Sequence, residues 1–188
     1  MKIKLPNEIE TERLTLKKHC LFLNQNGRLQ PEYVQLWVNS INQNREWLGR
    51  FLSHFDEPYT FEKEETFLND LISEKNEIAY GIWNNQTDEL MGSIGAFNFE
   101  EKEGKQCIEL GILLFEKFAG HGYGPEATMA LEQALLNMGM DQIVLLIDDQ
   151  NERSYKAAQK NGYTWNQKDI ATHHNRIMRI YRKNREGR

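Results

Sequence analysis

The feature that most constrains this chain is a strand-like segment running into a glycine-rich turn and then into an amphipathic helix. Cys107-Ile108-Glu109-Leu110-Gly111-Ile112-Leu113-Leu114 is apolar except at Glu109. Ala119-Gly120-His121-Gly122-Tyr123-Gly124 follows, and Pro125 then opens a helical pattern with Ala127, Ala130, Leu131, Ala134, Leu135 and Met138 on one stripe. This order lets backbone N–H groups converge on an anion. Glycines permit positive φ and close approach, and the helix N-terminus adds a favourable dipole. By itself a glycine cluster is equally a plain tight turn. Two phosphate sites are excluded. No Lys-Ser/Thr follows the turn, as a nucleotide P-loop requires, and no acidic residue ends a following parallel strand at dinucleotide-binding spacing.

The flanking sequence supplies a mixed α/β pattern. Leu14 and Leu16 alternate within residues 12–17 as a strand. Pro31 opens a helix carrying Tyr33, Val34, Leu36, Trp37 and Ile41, the aromatic stretch 47–51 follows, and residues 60–72 read as a helix capped by Thr60. From Ile78 the period changes to two. Residues 78–83, 91–97 and 107–114 predict an antiparallel meander joined by polar turns at 84–89 and 100–105. Gly139 stands where a C-terminal helix glycine belongs. Residues 143–147 read as a central buried strand, 151–160 as a helix, and 163–167 and 176–181 as the last strands. The expected order is β-α-α-β-β-β-α-β-α-β-β, with no repeat or linker, so residues 1–188 are expected to form a single domain.

Charge and cysteine content bound the partners. A net charge of −5 argues against nucleic acid, and the longest apolar runs are too short to span a bilayer. Residues 1–6 lack an apolar signal core, and Cys20 and Cys107 form no CxxC pair, which points to a reducing cytoplasmic setting. Eight acidic residues (Asp56, Glu57, Glu62, Glu64, Glu65, Asp70, Glu74, Glu77) crowd residues 56–77, and six basic residues the tail 176–188. Both read as solvated surface, or the acidic stretch as a rim attracting a cationic acceptor.

Several segments together resemble the GCN5-related N-acetyltransferases, and within them the ribosomal-protein N-terminal acetyltransferase branch. They are the strand 107–114, the turn through Gly124 with Glu126-Ala127, Asn151-Glu152-Arg153-Ser154, and Asn161-Gly162-Tyr163. Glu10-Thr11-Glu12-Arg13-Leu14-Thr15-Leu16 and the helical Trp37…Trp47-Leu48…Phe51 extend the likeness over roughly residues 10–182. The resemblance implies a mostly antiparallel mixed sheet flanked by helices and splayed between the Glu109 strand and the strand 143–147. It implies acetyl-coenzyme A as donor, its pantetheine arm paired with backbone near Ile112 and Leu114 and its pyrophosphate on the turn Ala119, Gly120, His121, Gly122, Tyr123 and Gly124. The family's turn usually begins with Arg or Gln; Ala119 removes that side-chain contact. The implied acceptor is a primary amine, such as a protein N-terminus, with a polyamine or aminoglycoside as alternatives. A non-catalytic acyl-coenzyme A binding module is the other class. A homodimer is compatible with the family; a metal is not implied.

An amine must shed a proton to attack a thioester, so a base is needed, and ideally an acid for the departing thiolate. Glu109 is the base candidate, since partial burial in an apolar strand raises a carboxyl pKa; the alternative is a solvated strand glutamate. Asn151 reads as a helix N-cap that in the family also contacts the pantetheine arm. Ser154 is placed to offer its hydroxyl to the coenzyme A sulfur, or serves as a surface or capping serine. Many family members use a tyrosine one turn further along, where this chain has Ala158. Lys156 reads as a phosphate contact or a solvated lysine. Trp47 and Phe51 are expected to shape the acceptor site, and Trp37 to pack in the core. His173-His174 has no companion ligands at metal spacing and reads as structural or surface histidine.

Overall fold

The computed structural model describes residues 4–52, 55, 57–73 and 78–185. Two short strands, β1 (Glu8–Glu10) and β2 (Leu14–Lys18), precede the helices α1 (Pro31–Gln43), α2 (Arg45–Gly49) and α3 (Phe61–Ser73). The meander β3 (Ile78–Asn84), β4 (Leu90–Lys102) and β5 (Lys105–Leu114) follows, then α4 (Tyr123–Asn137), β6 (Gln142–Asp148), α5 (Glu152–Lys160), β7 (Thr164–His173) and β8 (Arg176–Asn184). All described strands join one sheet in the order β1-β2-β3-β4-β5-β6-β8-β7. Every neighbouring pair is antiparallel except β5 and β6.

Four expectations are corrected. β1, three residues long, carries no periodicity of its own and forms because Glu8–Glu10 pairs with β2. The meander strands do not stop at Phe97 and Cys107. Glu103 and Gly104 both take positive φ, a two-residue hairpin turn, so the ladder runs on through the charged residues. His174 and Asn175 do the same between β7 and β8, which extends both final strands beyond their expected ends. Pro125 is the third residue of α4, not the first. Its missing N–H is harmless there because the first four amides of a helix have no partner within it.

The C-terminus of α4 behaves as its glycine indicated. Gly139 N donates to Leu136 O and Met140 N to Leu135 O, the paired bonds of a Schellman stop. The sheet's two faces are covered differently. Ile112 and Leu114 of β5 reach Gly124 at the start of α4, whereas Gly81 of β3 lies under the Trp37 ring of α1. The core runs through both layers, with Leu14, Leu16, Tyr80, Ile82 and Leu131 wholly buried. Glu132 of α4 accepts a hydrogen bond from Tyr163 (2.8 Å) and an ion pair from Lys183 (2.6 Å), which ties the second half of the sheet to that helix.

Candidate active site

The parallel strands part company midway. Cys107 to Leu110 pair with Gln142 to Leu145, and no pairing continues beyond. On their outer sides both strands remain in the sheet, β5 with β4 as far as Leu114 and β6 with β8 as far as Asp148. The result is a wedge-shaped opening. It explains why Val144, Leu145 and Leu146, expected to be buried, are only half-buried. Phe115 N donates to Met91 O (2.9 Å), and the β4–β5 register runs from Leu114 back to Glu109 without a slip. Antiparallel alternation therefore turns the peptide groups of Leu110, Ile112 and Leu114 away from β4. Those of Leu110 meet β6; those of Ile112 and Leu114 border the wedge.

At the same end of the sheet the chain builds its glycine turn. Ala119 closes a short 3-10 turn, its N–H bonded to Glu116 O (3.0 Å), so that amide is committed. The next five are not: among the described residues, no acceptor is bonded to the N–H groups of Gly120, His121, Gly122, Tyr123 or Gly124. Gly120 and Gly122 hold φ of +90° and +83°, which sets successive amides along one concave surface and launches α4. This is an anion cradle in geometry, with the helix dipole behind it.

The turn is held from the side by residues that periodicity did not single out. Glu126, in the first turn of α4, takes Arg13 Nε (2.7 Å) and Thr11 Oγ1 (2.7 Å), together with the Arg13 N–H (3.0 Å). Arg13 Nη1 also donates to His121 O (3.1 Å), and its guanidinium covers the Tyr123 ring at 4.6 Å. Partial burial opposes charge on Glu126, but the Thr11 and Arg13 bonds outweigh it and hold its pKa below the ordinary value. The spacing between an N-terminal strand and a helix 113 residues later carries no local signal.

Glu109 sits opposite Val144, one residue before the strands divide. Its face of β5 is the one away from α4, because Ile112 and Leu114, on the opposite face, are the residues that meet Gly124 of α4. Burial raises its pKa; Asn98 Nδ2, donating to the carboxylate at 3.0 Å, and nearby His173 pull it back, while Glu100 pushes it up. Asn98 reaches Glu109 because β4 carries a bulge there, with Asn98 at φ +52°. The two-histidine sequence thus gives one residue near this carboxyl, His173, and one in a turn, His174. Among the described residues no cluster of three or more His, Cys, Asp or Glu is arranged to hold a metal.

The other lip is the start of α5. Asn151 caps it, accepting from Ser154 N at 3.2 Å. The half-buried Ser154 hydroxyl has no hydrogen-bond partner among the described residues, and Ala158 is buried at the next turn. Lys156 is exposed and paired with Glu152 (2.9 Å).

Trp47 of α2 donates its indole N–H to Leu114 O (2.9 Å), directly at the rim of the wedge. Phe51, half-buried, lies just past the end of α2. Arg176 of β8 binds the carbonyls of Arg50 (2.7 Å) and Gly49 (3.5 Å) and the buried Asp148 (2.9 Å). So α2 spans the opening, fixed to β5 at one end and to β8 at the other. The expected acidic rim is corrected in part. Glu64 is 1% exposed and burial lifts its pKa to about 8, so it contributes little surface charge at neutral pH. Glu57, Glu62 and Asp70 are exposed, and Asp56, Glu74 and Glu77 lie outside the described residues. Of the basic tail, Arg176, Arg179, Arg182 and Lys183 are each paired with a carboxylate, and Arg188 lies outside the described residues.

Comparison with known proteins agrees with this architecture. The RimL ribosomal L7/L12 alpha-N-protein acetyltransferase, solved with coenzyme A, superposes with a TM-score of 0.76 at 17% identity, over 94% of this chain and 97% of that one. The microcin C7 self-immunity acetyltransferase MccE, solved with acetyl-CoA and AMP, gives 0.77 at 15% identity, over 93% of each chain. A GNAT-family acetyltransferase from Bacillus anthracis gives 0.69 at 20% identity, over 94% and 98%. At these identities the likeness is one of fold. Residues 28–164 match the acetyltransferase (GNAT) domain, and the chain belongs to that acetyltransferase family.

Proposed function

We propose that the protein transfers the acetyl group of acetyl-coenzyme A to a primary amine, the α-amine of a protein N-terminus. The observation that carries the donor is the wedge between β5 and β6 ending at five uncommitted amides, residues 120–124. The amides suit a pyrophosphate, and the peptide groups of Ile112 with the Leu114 N–H, whose carbonyl is held by Trp47, offer a thin amide-bearing arm the pairing that β6 withholds. Asn151 borders the same opening from α5.

Chemistry follows from the opposite face of β5. The amine approaches from the α1–α2 side, where Glu109 receives its proton directly or through water. Nitrogen then bonds to the thioester carbonyl carbon and the carbon–sulfur bond breaks. The departing thiolate takes a proton, with the Ser154 hydroxyl as the group within this site that can supply a hydrogen bond to sulfur. The buried Ala158 leaves the tyrosine-acid variant without a residue. Trp47 and Phe51 line the approach. The N-terminal amine reading is supported by the fold shared with RimL, an alpha-N-protein acetyltransferase.

Thiol release from acetyl-coenzyme A, measured over a panel of N-terminal peptides, polyamines and aminoglycosides, tests the reading. Amine-dependent release, lost in Glu109→Gln, is expected. A protein that binds coenzyme A tightly and turns over no amine would be a binding module instead.

A further inference from the structure

We propose that the acceptor carries an anionic group beside its amine, so that the preferred peptides bear aspartate or glutamate within the first few residues. The proposal rests on the acetyl-transfer reading above and assigns the recognition to Arg50 and Arg153.

Trp47 is a fixed platform at the rim, its indole tied to Leu114 O. Two guanidinium groups from separate elements converge on that ring. Arg50, following α2, lies 5.1 Å from the ring centroid, and Arg153, in the first turn of α5, lies 5.0 Å from it. The two side chains therefore bring positive charge to the opening from both of its lips. An aromatic face attracts a cation without neutralising it. Neither arginine has a carboxylate partner among the described residues. The carboxylates nearest in sequence on the α5 side are already taken: Asp148 by Arg176, Asp149 by Arg179, and Glu152 by Lys156. Two positive charges with no ion-pair partner among the described residues are left beside the ring where the acceptor must pass, each able to take a carboxylate.

Location separates Arg50 from the donor's phosphates, and Arg153 is drawn toward it from α5 by the Trp47 ring. The free amides of residues 120–124 belong to the α4 side of β5, whereas α2 lies on the side of α1, the side to which Glu109 turns. A cationic polyamine would meet repulsion at this entrance. That reverses the role expected for the acidic stretch, which is carried mainly by α3, packed against α1.

The test compares four acceptors in the thiol-release assay. Three are equal-length peptides beginning with serine and carrying Asp-Glu, Gln-Gln or Lys-Lys next, and the fourth is spermidine. Each is run with wild type, Arg50→Gln/Arg153→Gln and Arg50→Glu/Arg153→Glu. Both side chains are exposed, and unchanged melting temperatures check the fold. The wild type is expected to favour the acidic peptide over the lysine peptide by tenfold or more in kcat/KM, less so as salt rises. The preference falls to near parity in the glutamine variant and inverts in the glutamate variant, with the KM for acetyl-coenzyme A unchanged. A wild type that prefers lysine or spermidine overturns the inference while leaving acetyl transfer intact. Variants that raise the KM for acetyl-coenzyme A and keep the peptide preference also overturn it, assigning the arginines to the donor. Absence of release with every amine removes the acetyl-transfer reading itself.

Discussion

Arg13 and Glu126, 113 residues apart, close a two-pronged ion pair that clamps the start of β2 to the first turn of α4. Since Arg13 also holds the carbonyl of His121, the shape of the glycine turn depends on a residue outside it. Charge-assisted bonds of this kind contribute about 1.5–3 kcal/mol each, discounted here by the partial exposure of Arg13. Arg13→Ala or Glu126→Gln is expected to raise the KM for acetyl-coenzyme A by about tenfold. Steady-state kinetics should show kcat changing far less, because neither side chain touches the reacting atoms.

The two left-handed glycines of the turn make matched predictions. A Cβ on Gly120 would meet nothing within 4 Å, and one on Gly122 would touch only the Arg13 guanidinium, at an ordinary contact distance of 3.4 Å. Each alanine variant therefore carries mainly the backbone cost of a positive φ, about 1–2 kcal/mol. Calorimetric titration with coenzyme A should find weaker binding in both variants, by similar amounts.

The Glu109 carboxyl should govern the acid limb of the rate. Only its ionised form accepts a proton, and burial raises its pKa, so kcat/KM falls as pH drops through a value above the ordinary carboxylate range. The Asn98 bond favours the charged form; Asn98→Ala therefore moves the limb to higher pH. Glu109→Gln is expected to lower kcat about 100-fold or more. Ser154→Ala is expected to cost about tenfold, in kcat rather than KM, as measured by single-turnover kinetics.

Much of this site was legible because its signals are local. The glycine turn, the apolar strand interrupted by one glutamate, and the Asn151 cap each sit within a few residues, and each occupies the element expected of it. What could not be read depends on register and distance. The Arg13–Glu126 clamp, the bulge that points Asn98 at Glu109, and the Arg176 strap over α2 arise only once the sheet is assembled. Glu64 illustrates a limit of charge counting. It lies in an acidic run yet is buried, because α3 turns that position toward the core.

That burial has a measurable consequence. The Glu64 pKa is raised to about 8 from an unfolded value near 4.5, so the folded state holds its proton more tightly. Its contribution to stability is complete below pH 4.5 and is lost as pH rises through 8. Thermal unfolding followed from pH 5 to 9 should show a decline that Glu64→Gln flattens, with the variant melting higher than wild type at pH 9. A wild-type curve parallel to that of the variant would exclude Glu64 as the cause.

The central claim, that coenzyme A lies in the β5–β6 wedge with its pyrophosphate on the glycine turn, is tested most directly by amide NMR. Titration of the isotope-labelled protein with coenzyme A is predicted to shift the N–H resonances of Gly120, His121, Gly122, Tyr123 and Gly124 most strongly. Ile112 and Leu114 should shift with them. Saturable binding that leaves these seven resonances in place and moves amides elsewhere would contradict the account.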